Sequence, residues 1–409
     1  MNLSSVNALQ GVSLYRTSCL FAFSILLLVS STGCSKPTSV TVTQNQDNVI
    51  QKDLPSLSET YAKVFTIGAA VNRDQVTERD NQSSVLVKRH FNSITAENDL
   101  KWGNIHPVEG QFDFTGADAF VQYGVDNNLQ VIGHVLVWHE QTPDWLFVDD
   151  MGDTVSREVL IERMRTHINA VAGRYQGKIA GWDVVNEALN EDGSFRQSKW
   201  FEILGPDFIE YAFKFAAEAA PNAQLYYNDY NLFKFDKMSG ALGIVEQLRS
   251  KGIRIDGIGA QAHYGLETPV DELRVSIFRA VQSNIEIMIT ELDITVLKFP
   301  TPDKMGADVS LNIQYSEEFN PFANGISDEA QAQLAQSYTS LFELFWEYRS
   351  HISRVTMWGV SDNDSWRNSW PIQGRTDYPL LFDREYQPKP FFDDLIAIPK
   401  NAPDSNVNN

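Results

Sequence analysis

Cysteine is almost absent from these 409 residues: there are two, Cys19 and Cys34, both near the N-terminus. Everything from Ser35 onward therefore lacks both a disulfide framework and a thiol nucleophile. Basic charge is scarce as well, with 33 Lys and Arg against 53 Asp and Glu, a formal net charge of −20. A surface this acidic repels phosphate backbones, which argues against nucleic acid as a partner. No serine sits in a nucleophile elbow, and no glycine-rich loop would cradle a phosphate. His134 and His139 stand five apart across the end of an apolar run rather than on one helical face. They do not make a zinc pair, and no metal or cofactor is implied. The stretch Leu20–Val29 falls well short of the ~20 apolar residues that a membrane-spanning helix needs.

What is present starts with that stretch. Arg16 precedes it, the small residues Ser30-Ser31-Thr32-Gly33 follow, and then comes Cys34. This layout over residues 1–34 is that of a secretory signal. Thr32-Gly33-Cys34 resembles a bacterial lipobox, with Ser31 where that motif prefers Leu. Lipidation of Cys34 would make the exported protein a cell-envelope lipoprotein of a bacterial outer membrane, touching the membrane only through that anchor. Plain secretion is the rival expectation. Residues 35–58 are polar with almost no apolar cluster and read as a flexible tether, as does the tail 399–409. The body, residues 59–398, suits one large barrel of ~250 residues plus insertions.

Within the body, short apolar runs alternate with longer amphipathic segments. The strand candidates are Phe65–Val71, Asn92–Thr95, Val131–Val137, Ile179–Val185, Gln224–Tyr227, Gly257–Ala260, Glu286–Ile289 and Arg354–Trp358. Helical stretches such as Ser156–Tyr175, Phe208–Ala219, Met238–Lys251 and Asp328–Tyr348 separate them. Continuous apolar strands alternating with helices predict a parallel sheet covered by helices, and eight such units favour an α/β fold closed as a single (β/α)8 TIM barrel. Seven of those eight strands end in polar or aromatic side chains of the kind that catalyse or bind. In such a barrel all C-terminal strand ends meet on one face, so these residues should converge.

Carboxylates dominate that set. Glu187 closes the run Trp182-Asp183-Val184-Val185-Asn186, and Glu291 closes Ile287-Met288-Ile289-Thr290. Cleavage of a glycosidic bond needs two carboxyls flanking the scissile oxygen, one protonated and one charged. If they stand roughly 5–5.5 Å apart, the charged one attacks directly and anomeric configuration is retained. Their environments must then differ, one keeping its proton near neutrality and the other staying ionised.

The stretches Trp182–Glu187 and Ile289–Asp293 closely resemble those of glycoside hydrolase family 10. So do Thr95–Trp102, Gly133–His139, Tyr227–Asn231, Gly257–His263, Trp358–Asp362 and Ser365–Arg367, strand by strand and in order. The resemblance implies a retaining endo-1,4-β-xylanase acting on xylan or xylo-oligosaccharides, with Glu187 as acid/base and Glu291 as nucleophile. It further implies that Asn186 contacts the 2-hydroxyl of the reacting sugar and that His263 holds Glu291, with Asp293 behind it and His139 as another supporting residue. Glu97, Asn98, Lys101, His134, Trp138 and Gln261 match positions lining the glycone side. Trp358 and Trp366 match an aromatic wall over the sugar, and Tyr230 faces the leaving-group side. A β-1,4-glucanase or mixed-specificity glycosidase keeps the same fold and chemistry with another sugar. A non-catalytic carbohydrate-binding lipoprotein is the alternative of a different class. The long loop from Lys298 to Asp328 is expected to face substrate.

Overall fold

The computed structural model describes residues 55–300 and 314–401. Nine strands are present: β1 (Thr66–Val71), β2 (Ser93–Ala96), β3 (Gln130–Val137), β4 (Ile179–Asn186), β5 (Gln224–Asp229), β6 (Gly257–Ala260), β7 (His263–Gly265), β8 (Glu286–Thr295) and β9 (Ile352–Met357). All pairings are parallel, and they run β1 through β6 in order, then β8, then β9, which returns to β1. The ring is therefore closed. β7 pairs only with β8, so eight of the nine strands form the barrel and β7 extends it at one end.

A long helix follows each ring strand: α1 (Asn81–His90), α2 (Thr115–Asp126), α3 (Arg157–Arg174), α4 (Asp207–Ala219), α5 (Phe235–Ser250), α6 (Val270–Gln282), α7 (Asp328–Glu347) and α8 (Phe392–Asn401). Their starts are written locally. The Ser156 hydroxyl accepts from the Val159 N–H at α3, and Ser327 does the same for Ala330 at α7, each satisfying a donor left open at a helix N-terminus. On α3 the buried positions Leu160, Met164, His167, Ile168 and Val171 recur every three or four residues, so one stripe faces the barrel. The strands are buried on both faces, the condition for near-continuous apolar runs. Gly133 on β3 is one point where this packing demands a missing side chain: a Cβ there would lie 2.1 Å from the Trp182 ring.

Next to β3, Trp102 stacks on His167 at a 3.6 Å centroid separation, and His106 stacks on Phe112 at 3.9 Å. The two imidazoles meet through their Nδ1 atoms, 3.4 Å apart, and the Gly110 N–H donates to His106 Nε2. Both rings are buried.

The sequence-derived boundaries need correction at both ends of the body. Ser56 and Leu57 belong to the fold rather than to a tether through residue 58. Ser56 caps a short helix, Leu57–Tyr61, and its hydroxyl donates to the Arg89 carbonyl at 2.7 Å. At the other end α8 continues past 398 to Asn401. The secretory signal, Cys34 and residues 301–313 of the long loop lie outside the described residues. Among the described residues no helix is long and apolar enough to cross a membrane.

Candidate active site

Because every ring strand is parallel, all C-terminal ends open on one face. β4 and β5 pair with Asn186 beside Asn228, and the Glu187 N–H donates to the Asn228 carbonyl at 2.9 Å. Glu187 itself adopts a positive φ of 56°, a left-handed conformation uncommon outside glycine. Its buried carboxyl accepts from Trp138 Nε1 at 3.0 Å on Oε2 and from Gln261 Nε2 at 2.9 Å on Oε1.

Glu291 lies inside β8 rather than beyond its end, which corrects the expectation of a carboxylate placed just after the strand. The ladder to β6 stops at Ile289, but β8 runs on to Thr295 because β7 pairs with its extension, setting His263 opposite Asp293. That extra strand carries the histidine to the carboxylate. His263 Nε2 is 3.1 Å from Glu291 Oε2, and Nδ1 is 3.0 Å from Asp293 Oδ1. Asn228 Nδ2 donates to Glu291 Oε1 at 2.8 Å. The Asn186 amide lies 2.9 Å from that of Asn228 and 3.2 Å from that of Gln261. Three carboxamides thus link the two buried glutamates.

The electrostatic settings of the pair are opposite. Burial pushes the Glu187 carboxyl up to about 7, and the negative charges of Asp229 and Glu291 add to this against the donors Gln261 and Trp138. Burial would raise Glu291 as well, but the His263 hydrogen bond, the His134 and His263 imidazoles and the Asn228 donor outweigh it and hold the carboxyl below its usual range. His263 resists the effect of its own burial because Asp293 and Glu291 flank it, which raises it to about 9. An imidazolium therefore sits against Glu291 at neutral pH. Asp293 is anchored in turn by Arg367 at 2.9 Å and by Trp366 Nε1 at 2.7 Å.

The remaining residues expected from sequence gather in the same place, with differences of detail. Lys101 is buried; its Nζ donates to Asn98 Oδ1 at 3.0 Å and stands 5.1 Å from the Trp138 ring centroid. Burial lowers Lys101, and the charges of Glu97, Glu291 and Glu187 oppose that; burial likewise raises Glu97, against the Lys101 charge. His134 Nδ1 meets Asp183 Oδ2 at 2.9 Å. Trp358 sets an edge against both His134 and His263, at 5.3 and 6.2 Å between centroids. Trp366 stacks on Trp370 at 4.7 Å. Tyr230 is buried to the same degree as Trp358 and Trp138; its hydroxyl accepts from Arg196 at 2.7 Å, and Lys237 Nζ stands 3.3 Å from its ring centroid. His139 packs edge-on against Trp138 at 6.0 Å.

Four contributors were not singled out from sequence: Asn228, Asp183, Asp229 and Arg367. A carboxylate inside an otherwise apolar strand, as Asp183 is, signals a buried partner, because an unpaired buried charge is costly. Asn228 and Asp229 adjoin Tyr230 at a strand end, where spacing alone does not say which side chain turns inward. Among the described residues no group of three His, Cys, Asp or Glu could hold a metal ion.

Residues 56–398 match the family profile described as glycosyl hydrolase family 10. The chain is 42% identical to the endo-1,4-beta-xylanase A of Xylanibacter ruminicola over 351 residues, covering 85% of this chain and 95% of that one. It is 43% identical to the endo-1,4-beta-xylanase of Geobacillus stearothermophilus over 353 residues, covering 84% and 99%. Among solved structures, a GH10 endoxylanase retrieved from sugarcane soil metagenome superposes with a TM-score of 0.79 at 38% identity, over 84% of this chain and 99% of that one. A mutant relative solved in complex with xylotriose gives 0.75 at 36% identity, over 84% and 99%.

Proposed function

This chain belongs to glycosyl hydrolase family 10, and from that membership we propose that Glu187 and Glu291 are the acid/base and the nucleophile of its reaction. The enzyme is a retaining endo-1,4-β-xylanase. It hydrolyses internal β-1,4-xylosidic bonds of xylan and xylo-oligosaccharides by double displacement. The observation that carries the assignment of roles is the opposed electrostatics of the two carboxyls. One is held protonated near neutrality by burial and neighbouring negative charge; the other is held ionised by His263 and Asn228.

In the first step the Glu291 carboxylate attacks the anomeric carbon while Glu187 donates its proton to the departing glycosidic oxygen. A glycosyl ester on Glu291 results. Glu187, now a carboxylate, takes a proton from the incoming water, whose oxygen attacks the same carbon and releases Glu291. In this reading Asn186 hydrogen-bonds the 2-hydroxyl of the reacting sugar, a contact that strengthens as the transition state forms. Glu97, Asn98, Lys101, His134 and Gln261 offer donors and acceptors to the glycone, with Trp138, Trp358 and Trp366 as walls. An indole where glucose carries its hydroxymethyl group would favour xylose by exclusion.

The test is release of reducing ends from soluble xylan and from carboxymethylcellulose by the protein starting at Ser35, with Glu291→Ala alongside. Rapid release from xylan, little from cellulose and none from the variant is expected. Equal rates on both polymers would shift the reading to a glucanase of broad specificity. For the N-terminus, the Leu20–Cys34 pattern supports export with a lipid on Cys34. The mass of the first residue's peptide from membrane-extracted protein tests it, and an unmodified, freely secreted chain would refute it.

A further inference from the structure

One buried ion pair close to Glu187 has no part in the two-step scheme. Asp229, the last residue of β5, and Lys237, in the first turn of α5, lie 3.0 Å apart, and neither side chain has any exposed surface. An ion pair taken wholly out of water gains little or nothing in stability over a well-packed apolar replacement, because desolvation cancels the attraction. Its placement is more informative than its energy. In the parallel register of β4 and β5, Asn186 sits beside Asn228, and the Glu187 N–H donates at 2.9 Å to the carbonyl of Asn228, the residue bonded directly to Asp229. Asp229 turns away from the cleft and accepts from the Tyr227 hydroxyl, the Tyr230 N–H at 2.9 Å and Lys237.

Lys237 also reaches the loop that carries Glu187. Its Nζ is 3.3 Å from Glu191 Oε1, and Glu191 is paired with Lys234 as well. That loop is folded tightly onto the start of α5. Gly193 has a φ of 78°, and a Cβ there would stand 2.3 Å from the Asp236 carbonyl oxygen. Arg196, at the end of the loop, donates to the Glu187 carbonyl at 3.1 Å and to the Tyr230 hydroxyl at 2.7 Å. Backbone and charge around Glu187 are thus fixed from one side by a single knot.

We propose that Asp229, held by Lys237, is a positioning residue that sets the proton affinity of Glu187 from outside the substrate cleft. This rests on Glu187 being the acid/base. A fixed negative charge beside a carboxyl disfavours its ionisation, and Asp229 is the largest charge contribution raising Glu187 after burial itself. Burial raises the Asp229 carboxyl above its usual range, and the contacts that oppose the rise and favour its charge are Lys237, the Tyr227 hydroxyl and Arg196. The other groups facing Glu187 are Gln261 and Trp138 as donors, with Glu291, Lys101, Tyr230 and Arg196 around it. Asp229 is the negative charge among them that the reaction does not consume.

The experiment uses Asp229→Asn and the double variant Asp229→Asn/Lys237→Met, which removes both buried charges and leaves no orphaned ammonium. Melting curves and far-ultraviolet circular dichroism establish that each folds. The Glu187 carboxyl is titrated by carbon-13 NMR of protein labelled at the glutamate carboxyl, its resonance identified by its loss in Glu187→Gln. The pH dependence of kcat/KM on soluble xylan is measured in parallel. In Asp229→Asn the titration midpoint and the alkaline limb should both move about one pH unit lower, the scale of a neighbouring charge, and in the double variant by less, because loss of the Lys237 charge acts the other way. Activity at a pH above both limbs would then fall about tenfold. A folded Asp229→Asn variant whose Glu187 midpoint stays in place, or a double variant whose midpoint moves higher, overturns the proposal. A midpoint that moves while the kinetic limb does not would support the Asp229–Glu187 link and overturn the role of Glu187 as proton donor.

Discussion

Asn228 Nδ2 donates to Glu291 Oε1 at 2.8 Å, and its own Oδ1 accepts from the Thr290 hydroxyl at 2.6 Å. The amide is held by the residue next to the carboxylate it serves, and the same amide lies 2.9 Å from that of Asn186. Its loss would leave Glu291 oriented by His263 alone. A hydrogen bond to a charged group is worth about 1.5–3 kcal/mol. Asn228→Ala is therefore expected to lower kcat on xylan by roughly ten- to a hundredfold. Steady-state kinetics with xylotetraose checks this; an unchanged kcat would show that His263 is sufficient.

Removing the nucleophile is a harsher change. Glu291→Ala should lower turnover by at least about a thousandfold while xylo-oligosaccharides still bind, because the cleft is otherwise intact. Calorimetric titration with xylotriose alongside the rate measurement separates loss of chemistry from loss of binding. If binding vanished as well, Glu291 would have to be holding the ground state.

The pH profile follows from two signs. The acid must carry its proton, so kcat/KM should decline as pH rises through the Glu187 value, about 7. The nucleophile must be ionised, so activity should also decline as pH falls through the Glu291 value, which is held below the ordinary glutamate range. His263, raised to about 9, stays cationic throughout this interval. A rate profile on soluble xylan between acid and alkaline limits reads both limbs. An alkaline limb near the ordinary value for an exposed glutamate would contradict the buried setting of Glu187.

The stacked imidazoles give a separate, purely structural pH dependence. Burial lowers His106 to about 4, partly offset by Glu109, and holds His167 well below its usual value, helped by the neighbouring His106. Both are neutral in the folded chain, whereas an unfolded histidine titrates near ~6.5. Their contribution to stability is complete above the unfolded value and is lost as pH falls through it toward 4. Melting temperature should therefore drop between neutral pH and about pH 4.5. His106→Phe should flatten that dependence at a cost of about 1–2 kcal/mol at pH 7, since Gly110 and His167 each lose a partner. A slope equal to that of the native chain would exclude His106 as its source.

Much of this was legible in sequence because parallel barrel strands are covered on both sides and so read as uninterrupted apolar runs. The eight ring strands lie within three residues of their expected starts, and the two glutamates fall on the same barrel face. Their extents were less legible. β8 was expected to stop at Ile289, because nothing in a run of alternating polar residues announces that His263–Gly265 will come alongside and prolong it. Partner choice was the other gap. The motif holding Trp366 also holds Arg367, but only the fold shows that both anchor Asp293. A short loop could not have been parsed better by composition: the helical turn at Leu57–Tyr61 is fixed by the Tyr61 hydroxyl donating to the Leu395 carbonyl, a contact across nearly the whole chain.

Among the described residues, the hydrogen-bonded route from Glu187 to Glu291 runs through side-chain amides, those of Gln261, Asn186 and Asn228. Carboxamides orient a neighbour firmly, yet they neither release nor accept a proton in the neutral range. The row therefore works as an insulator. Two carboxyls joined directly would share one hydrogen and lose their distinct characters. Here the hydrogen surrendered by Glu187 can leave only with the departing sugar and return only from water, so each turnover must restore it from the solvent side of the cleft.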